Sequence, residues 1–267
     1  MINLTRLARS DFAKILSISV EDQNPEIIGA CDVVKHMALV SYSRFAKSTS
    51  LYFSLNHVLS TSLIGLHLLN ALRCRDGYVT PDQIKNLIGA TLFSDVGIIQ
   101  GVLREDDGDR LKIKAEQPSS QITMHTDSSL WPYKAYRSIE FINDSAFIKQ
   151  HIDVESVSRA IYFSDFMNLS TQRSESESDD LAKYLRAIQI ITLMSAQNYE
   201  RRAVEFYLSA REANLLDREI FSDLSDFRRK WTQYFWEHLY PDVGEEILLL
   251  RETSHGRSII SQMYSHL

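Results

Sequence analysis

Apolar residues recur at helical spacing along almost the whole chain, and this periodicity leaves room for little except an all-α fold. Ile27, Ala30, Cys31, Val34, Met37, Ala38 and Val40 share much of one face. Leu55, Val58, Leu59, Ser62, Leu63, Leu66, Leu69 and Leu72 share another. Only 9 of the 267 residues are glycine and 5 are proline, too few turn-formers for a sandwich or a barrel. Several helix ends are signalled directly. Gly77 closes one helix. Thr80-Pro81-Asp82-Gln83 opens the next, with Thr80 as cap, Pro81 in the first turn and Gln83 completing a capping box. Asp153 caps a further segment carrying Val154, Val157, Ala160 and Ile161. Helical spacing predicts more helices at about Tyr133–Phe147, Leu181–Ser195, Tyr199–Ala213 and Ser222–Leu239, and a last pair between Glu245 and Leu267.

Two polar stretches interrupt the pattern. Between Arg104 and Pro132 the turn-rich runs Glu105-Asp106-Asp107-Gly108-Asp109 and Gln117-Pro118-Ser119-Ser120 predict a long irregular connection. The acidic cluster lacks the ligand spacing of a calcium loop and reads as a solvated turn. The Ser/Glu-rich run from Ser170 to Asp180 divides the chain into residues 1–170, a helical domain, and 180–267, a C-terminal helical extension packed on it. The net charge of −6, with no Lys/Arg cluster, argues against a nucleic-acid partner. No apolar run is long enough to span a bilayer, so no membrane association is expected and the cytoplasm is the expected location. Cys31 and Cys74 have no paired spacing and read as small buried hydrophobes in a reducing compartment.

Three polar residues stand where a helical core should be apolar. Asp95 lies in the tetrad Phe93-Ser94-Asp95-Val96 that closes the apolar run Ile84 to Leu92, Asp165 sits in Ile161-Tyr162-Phe163-Ser164-Asp165-Phe166, and His57 starts an otherwise aliphatic helix. An unpaired carboxylate in such surroundings is costly, so the two acids need shared compensation: a cation, or a network with His57.

The wording around these anchors resembles the HD superfamily of metal-dependent phosphohydrolases, in its cyclic-nucleotide-phosphodiesterase-like branch. Ala90 to Gly97 resembles that family's apolar run into His-Asp-Ile/Val-Gly. Tyr52 to His57 resembles its twin-histidine segment, and Tyr136 to Ile142 a helix that follows the metal loop. The resemblance covers about Ser50 to Asn168 and implies an HD-domain-like helical bundle with additional C-terminal helices. It also implies divalent metal that activates water for attack on phosphorus. Carried over residue by residue, the metal ligands are His57, Asp95 and Asp165. Ser94 stands in the lost histidine position, Phe53 replaces the first of the twin histidines, and Lys134-Ala135-Tyr136 occupies the place of second-metal histidines. A serine hydroxyl is a poor ligand for Zn, Fe or Ni. The remaining set is expected to hold one divalent metal (Mn, Fe, Zn, Ni or Mg) weakly, or none.

The functional expectation is a phosphohydrolase relative with an incomplete metal site, non-catalytic or weakly active, acting as a ligand-binding or signalling and interaction protein. The alternative is an active divalent-metal-dependent phosphomonoesterase or phosphodiesterase on a nucleotide-like substrate. Arg104, His125 and Arg137 are candidate contacts to a nucleotide or phosphate, because arginine pairs with phosphate bidentately. Their bland readings are surface ion pairs for the arginines and a solvated loop residue for His125. Trp231, Tyr234, Phe235, Trp236, Leu239 and Tyr240 crowd one segment, read either as core or as the surface of a homodimer or protein partner.

Overall fold

The computed structural model describes residue 12 and residues 24–108, 110–114, 120–121, 126–167, 179–217 and 219–267. His125 and residues 170–178 of the Ser/Glu-rich boundary segment lie outside them. Among the described residues eleven α-helices make the fold all-α: α1 (Pro25–Phe45), α2 (Leu55–Asp76), α3 (Pro81–Phe93), α4 (Lys134–Asp144), α5 (Ala146–Lys149), α6 (Val154–Ser164), α7 (Asp180–Met194), α8 (Tyr199–Glu212), α9 (Leu224–Tyr234), α10 (Gly244–Leu250) and α11 (Ser254–Tyr264). No helix among the described residues is long and apolar enough to cross a membrane.

The ends follow the local chemistry. The Thr80 hydroxyl accepts from the Gln83 amide at 3.1 Å, and the Gln83 side chain accepts from the Thr80 amide at 2.8 Å. Asp153 caps α6 through the Ser156 amide at 3.1 Å. Gly77 closes α2 at φ 83°, a left-handed conformation open to glycine. The connection after α3 is less irregular than its composition predicts. It contains a 3₁₀ turn at Val96–Ile98, an antiparallel ribbon pairing Arg110–Leu111 with Ser120–Gln121, and a 3₁₀ segment at Asp127–Tyr133. The helix expected to run to Leu239 ends as α-helix at Tyr234 and continues as a π turn, Phe235–Leu239.

One set of buried apolar side chains runs from α1 to α11. Helix α7 touches α2, α3, α6, α8 and α10, and every residue from Leu185 to Met194 is buried. Chain-distant segments therefore share a core. Cys31 is buried, as its pattern predicts, and burial pushes its thiol up. Cys74 is exposed, because it falls on the outer face of α2 near its end. Of the C-terminal aromatic cluster, Trp231, Phe235 and Leu239 belong to the core, whereas Trp236 is exposed beside Tyr240 and stacked on Tyr264.

Candidate functional site

Asp95 and Asp165 both lie just past the ends of helices. Asp95 follows the C-cap of α3 and Asp165 is itself the C-cap of α6. Neither is on a helix face, as the sequence pattern suggested. The C-terminal end of a helix carries partial negative charge, so each carboxylate is worse placed than on a helix flank. His57 sits in the first turn of α2. The structure brings His57 and Asp95 into contact, with Nε2 3.1 Å from Oδ2. The remaining Asp95 oxygen is taken by a residue the sequence reading left outside the site. The Lys134 ammonium, on the first residue of α4, donates to Oδ1 at 2.6 Å. His57, Asp95, Lys134 and Asp165 are 2%, 4%, 4% and 6% exposed, which makes this a buried polar centre.

The charges decide which groups ionise. Burial opposes the Asp95 carboxylate, but Lys134 and the His57 hydrogen bond outweigh it and hold the acid well below the usual carboxylate range. Burial likewise opposes the Lys134 ammonium. The Asp165 and Asp95 carboxylates overcome that, and Lys134 stays charged, above its ordinary value. Asp165 is raised, chiefly by burial, with Lys134 opposing. It accepts from the Met167 amide at 3.2 Å, and the Trp131 indole N–H lies close without forming a well-aligned bond. Burial lowers His57 against the opposing pull of Asp95, and the Arg202 and Lys134 cations add to the lowering, which favours the neutral imidazole.

Arg202, from α8, fixes the imidazole tautomer. Its Nη2 lies 3.2 Å from His57 Nδ1 and also donates to the Tyr52 carbonyl at 3.2 Å, while Nη1 pairs with Glu205 at 2.7 Å. A guanidinium can only donate. Nδ1 must therefore accept, the ring proton must sit on Nε2, and Nε2 must donate to Asp95. The lone pair that would bind a metal through Nε2 is thereby absent in this arrangement. Aromatic rings close the rest of the shell. Tyr52 lies 4.6 Å and Phe53 5.3 Å from the His57 ring, Trp131 packs on both, and Arg202 stands 4.5 Å over Tyr52. Lys134 Nζ lies 5.5 Å from the centre of the Phe53 ring, a cation–π contact at the residue that replaces a histidine in the resemblance.

The donor set does not fit a divalent ion. The Asp95 carboxylate is already taken by an ammonium and an imidazole, the imidazole turns its proton toward the acid, and Ser94 directs its hydroxyl back to the Thr91 carbonyl at 3.4 Å. Among the described residues no group of three or more His, Cys, Asp and Glu side chains is arranged to hold a metal.

The other candidates lie apart. Arg137 is fully buried, and all five of its N–H groups are used. They go to the Gly97, Ile99 and Lys112 carbonyls and to both Asp106 oxygens, at 2.6–3.1 Å. No donor is left for a phosphate, so the expected ligand role is replaced by a structural one: Arg137 clasps the loop onto α4. Asp106, expected to be solvated, is the carboxylate it holds. Arg104 is exposed and reaches Asp144, ten residues and about 15 Å along α4 from Lys134. Two surface cavities lie elsewhere, one of about 470 Å³ lined by Gly29, Val33, Pro81, Lys85 and His151, and one of about 210 Å³ lined by Arg44, Lys47, Gln100 and Asp127.

Lys134 and Arg202 are the members that sequence reasoning missed. Charged residues near helix ends read as solvated. The available signal for Arg202 was its alignment with Phe206 and Ser209 on one stripe of α8, all of them buried.

A family model described as Npun_R2479-like matches residues 3–267, and the chain belongs to that family. No curated protein and no solved structure matches it.

Proposed function

We propose that this member of the family is a non-catalytic helical protein in which an internal ammonium ion does the electrostatic work that the HD resemblance assigns to a divalent metal. One observation carries the reading: the buried Lys134 ammonium sits 2.6 Å from Asp95, with Asp165 close enough to hold it charged. A side-chain cation is tethered, always present and unable to act as a Lewis acid toward phosphorus. A buried lysine flanked by two carboxylates keeps its proton and so offers no nucleophile or base. The centre then serves rigidity, tying α2, α3, α4, α6 and α8 together, and activity in the cell falls to the surface as ligand binding or protein interaction. Exposed Trp236, with Tyr240 and Tyr264 around it, is the aromatic surface such an interaction would use.

The test is direct. Purified protein is incubated in turn with Mn, Fe, Zn, Ni and Mg and assayed on p-nitrophenyl phosphate and bis-p-nitrophenyl phosphate, with metal content measured in parallel. The expected outcome is no stoichiometric metal and no hydrolysis that depends on Asp95. Metal-stimulated turnover abolished by Asp95→Ala would establish the phosphohydrolase instead.

A further inference from the structure

Apart from the His57 centre, helix α7 carries two polar side chains that its apolar surroundings leave with unsatisfied atoms. Arg186 and Gln189 are one turn apart on the same face, 6% and 4% exposed. Nη2 of Arg186 donates to Asp242 at 2.5 Å. Its Nε and Nη1, and both the nitrogen and the oxygen of the Gln189 amide, have no hydrogen-bond partner among the described residues. Three of the other buried polar atoms in this state have a partner close by: Ser62 for the Tyr42 hydroxyl, Glu140 for Tyr136 and Asp165 for Trp131; the fourth, the Ser158 hydroxyl, is a single isolated atom. Four unpaired atoms on adjacent side chains of one buried helix are different. Buried polar groups are almost always hydrogen-bonded, and a guanidinium in apolar surroundings is costly unless its N–H groups are engaged.

We propose that Arg186 and Gln189 form a binding site for one small monoanion bearing a hydroxyl group, of which a 2-hydroxycarboxylate is the simplest. The chemistry of the four atoms sets this class. Nε and Nη1 of Arg186 and the Gln189 amide nitrogen offer only donors, which carboxylate oxygens accept. The Gln189 oxygen needs a donor, which the hydroxyl supplies. Asp242 already offsets the guanidinium charge, so a ligand with more than one negative charge is disfavoured. Asp242 is 31% exposed on its side chain and stands in the short turn Tyr240–Asp242, which places the Arg186 guanidinium next to a group that reaches solvent.

Glycolate and acetate separate the terms, since they share a carboxylate and differ by the hydroxyl. Titration calorimetry on the full chain is expected to show one glycolate per chain, binding about tenfold or more tighter than acetate. The Gln189→Met variant is expected to bring glycolate down to the acetate level. The Arg186→Met variant is expected to remove both. Should Arg186→Met fail to fold, Gln189→Met, which keeps volume and all charges, carries the test alone. No saturable glycolate binding, equal affinity for the two anions, or native glycolate affinity in Gln189→Met would overturn the proposal. So would a crystal grown in glycolate with only water between Arg186 and Gln189.

Discussion

Replacing Lys134 by alanine strands the buried Asp95 carboxylate without the ammonium it meets at 2.6 Å and removes the cation that opposes the burial-raised Asp165. Removing one partner of a buried pair costs about 3–5 kcal/mol, because the remaining charge is stranded. Urea unfolding of Lys134→Ala is expected to show a loss of that size, and adding Asp95→Asn is expected to return part of it. A purely apolar role for the lysine stem predicts no such recovery. His57 gives the centre its pH dependence. Its folded value is lowered below the ordinary 6.5, mainly by burial, so near and below that value the unfolded chain binds a proton that the folded chain refuses. This contribution is complete above pH 6.5 and is lost as pH falls through the folded value, with a slope of up to about 1.4 kcal/mol per pH unit. Stability measured from pH 7.5 to 5 is expected to decline more steeply in the native protein than in His57→Gln, which keeps a donor for Asp95 but cannot titrate. Equal slopes would mean that His57 is not the neutral buried donor.

Between elements, the decisive contact is the approach of α4 to the 3₁₀ turn at Val96–Ile98. Gly97 donates its N–H to the Ser138 hydroxyl at 2.8 Å and accepts from Arg137 Nε at 2.6 Å, and Ser138 in turn donates to the Ser94 carbonyl at 3.0 Å. A Cβ at position 97 would fall against the Lys134 carbonyl and the Ser138 amide. These are backbone atoms, which cannot step aside, so Gly97→Ala must push α4 away and with it Lys134. The expected cost is about 3 kcal/mol or more, measured by chemical unfolding. A near-neutral Gly97→Ala would show that α4 is free to shift. The helices were legible in the sequence because burial imposes a period and end-capping uses few residue types. The capping box at Thr80 and the cap at Asp153 needed only a few adjacent residues to recognise. The pairing of His57 with Asp95 was legible for a related reason: an acid after an apolar run needs compensation. Its agent was not legible. Lys134 opens a helix after a loop whose composition carries no register, and only the folded chain sets that helix against the end of α3. The engagement of Arg137 was hidden for the same reason, since its acceptors belong to four residues, Gly97, Ile99, Asp106 and Lys112, spread along the connection that follows α3.

Across the whole molecule, the polar centre is completed from beyond the boundary that composition suggested near residue 175. Arg202 reaches Tyr52 and His57. Ser209 joins Ser128 at 3.1 Å and accepts from the Tyr52 amide at 3.3 Å. Glu212 takes the amide and hydroxyl of Thr126 and the hydroxyl of Ser129 at 2.7–2.9 Å. Helix α7 adds the apolar side, lying against α2, α3 and α6. A fragment of residues 1–170 would therefore expose the faces that α7 covers, and it would lose the guanidinium that fixes the His57 tautomer. Such a fragment is expected to show helical far-ultraviolet dichroism with no cooperative thermal transition, the signature of secondary structure without specific packing. Supplying residues 179–267 as a second chain is expected to restore a cooperative transition and a one-to-one complex by light scattering. Placing Arg202→Met in the second chain is expected to weaken that complex, because His57 Nδ1 would lose its donor in a buried setting. If residues 1–170 melted cooperatively alone, the C-terminal helices would be an appendage, and the tautomer of His57 would have to be set from within the first part of the chain.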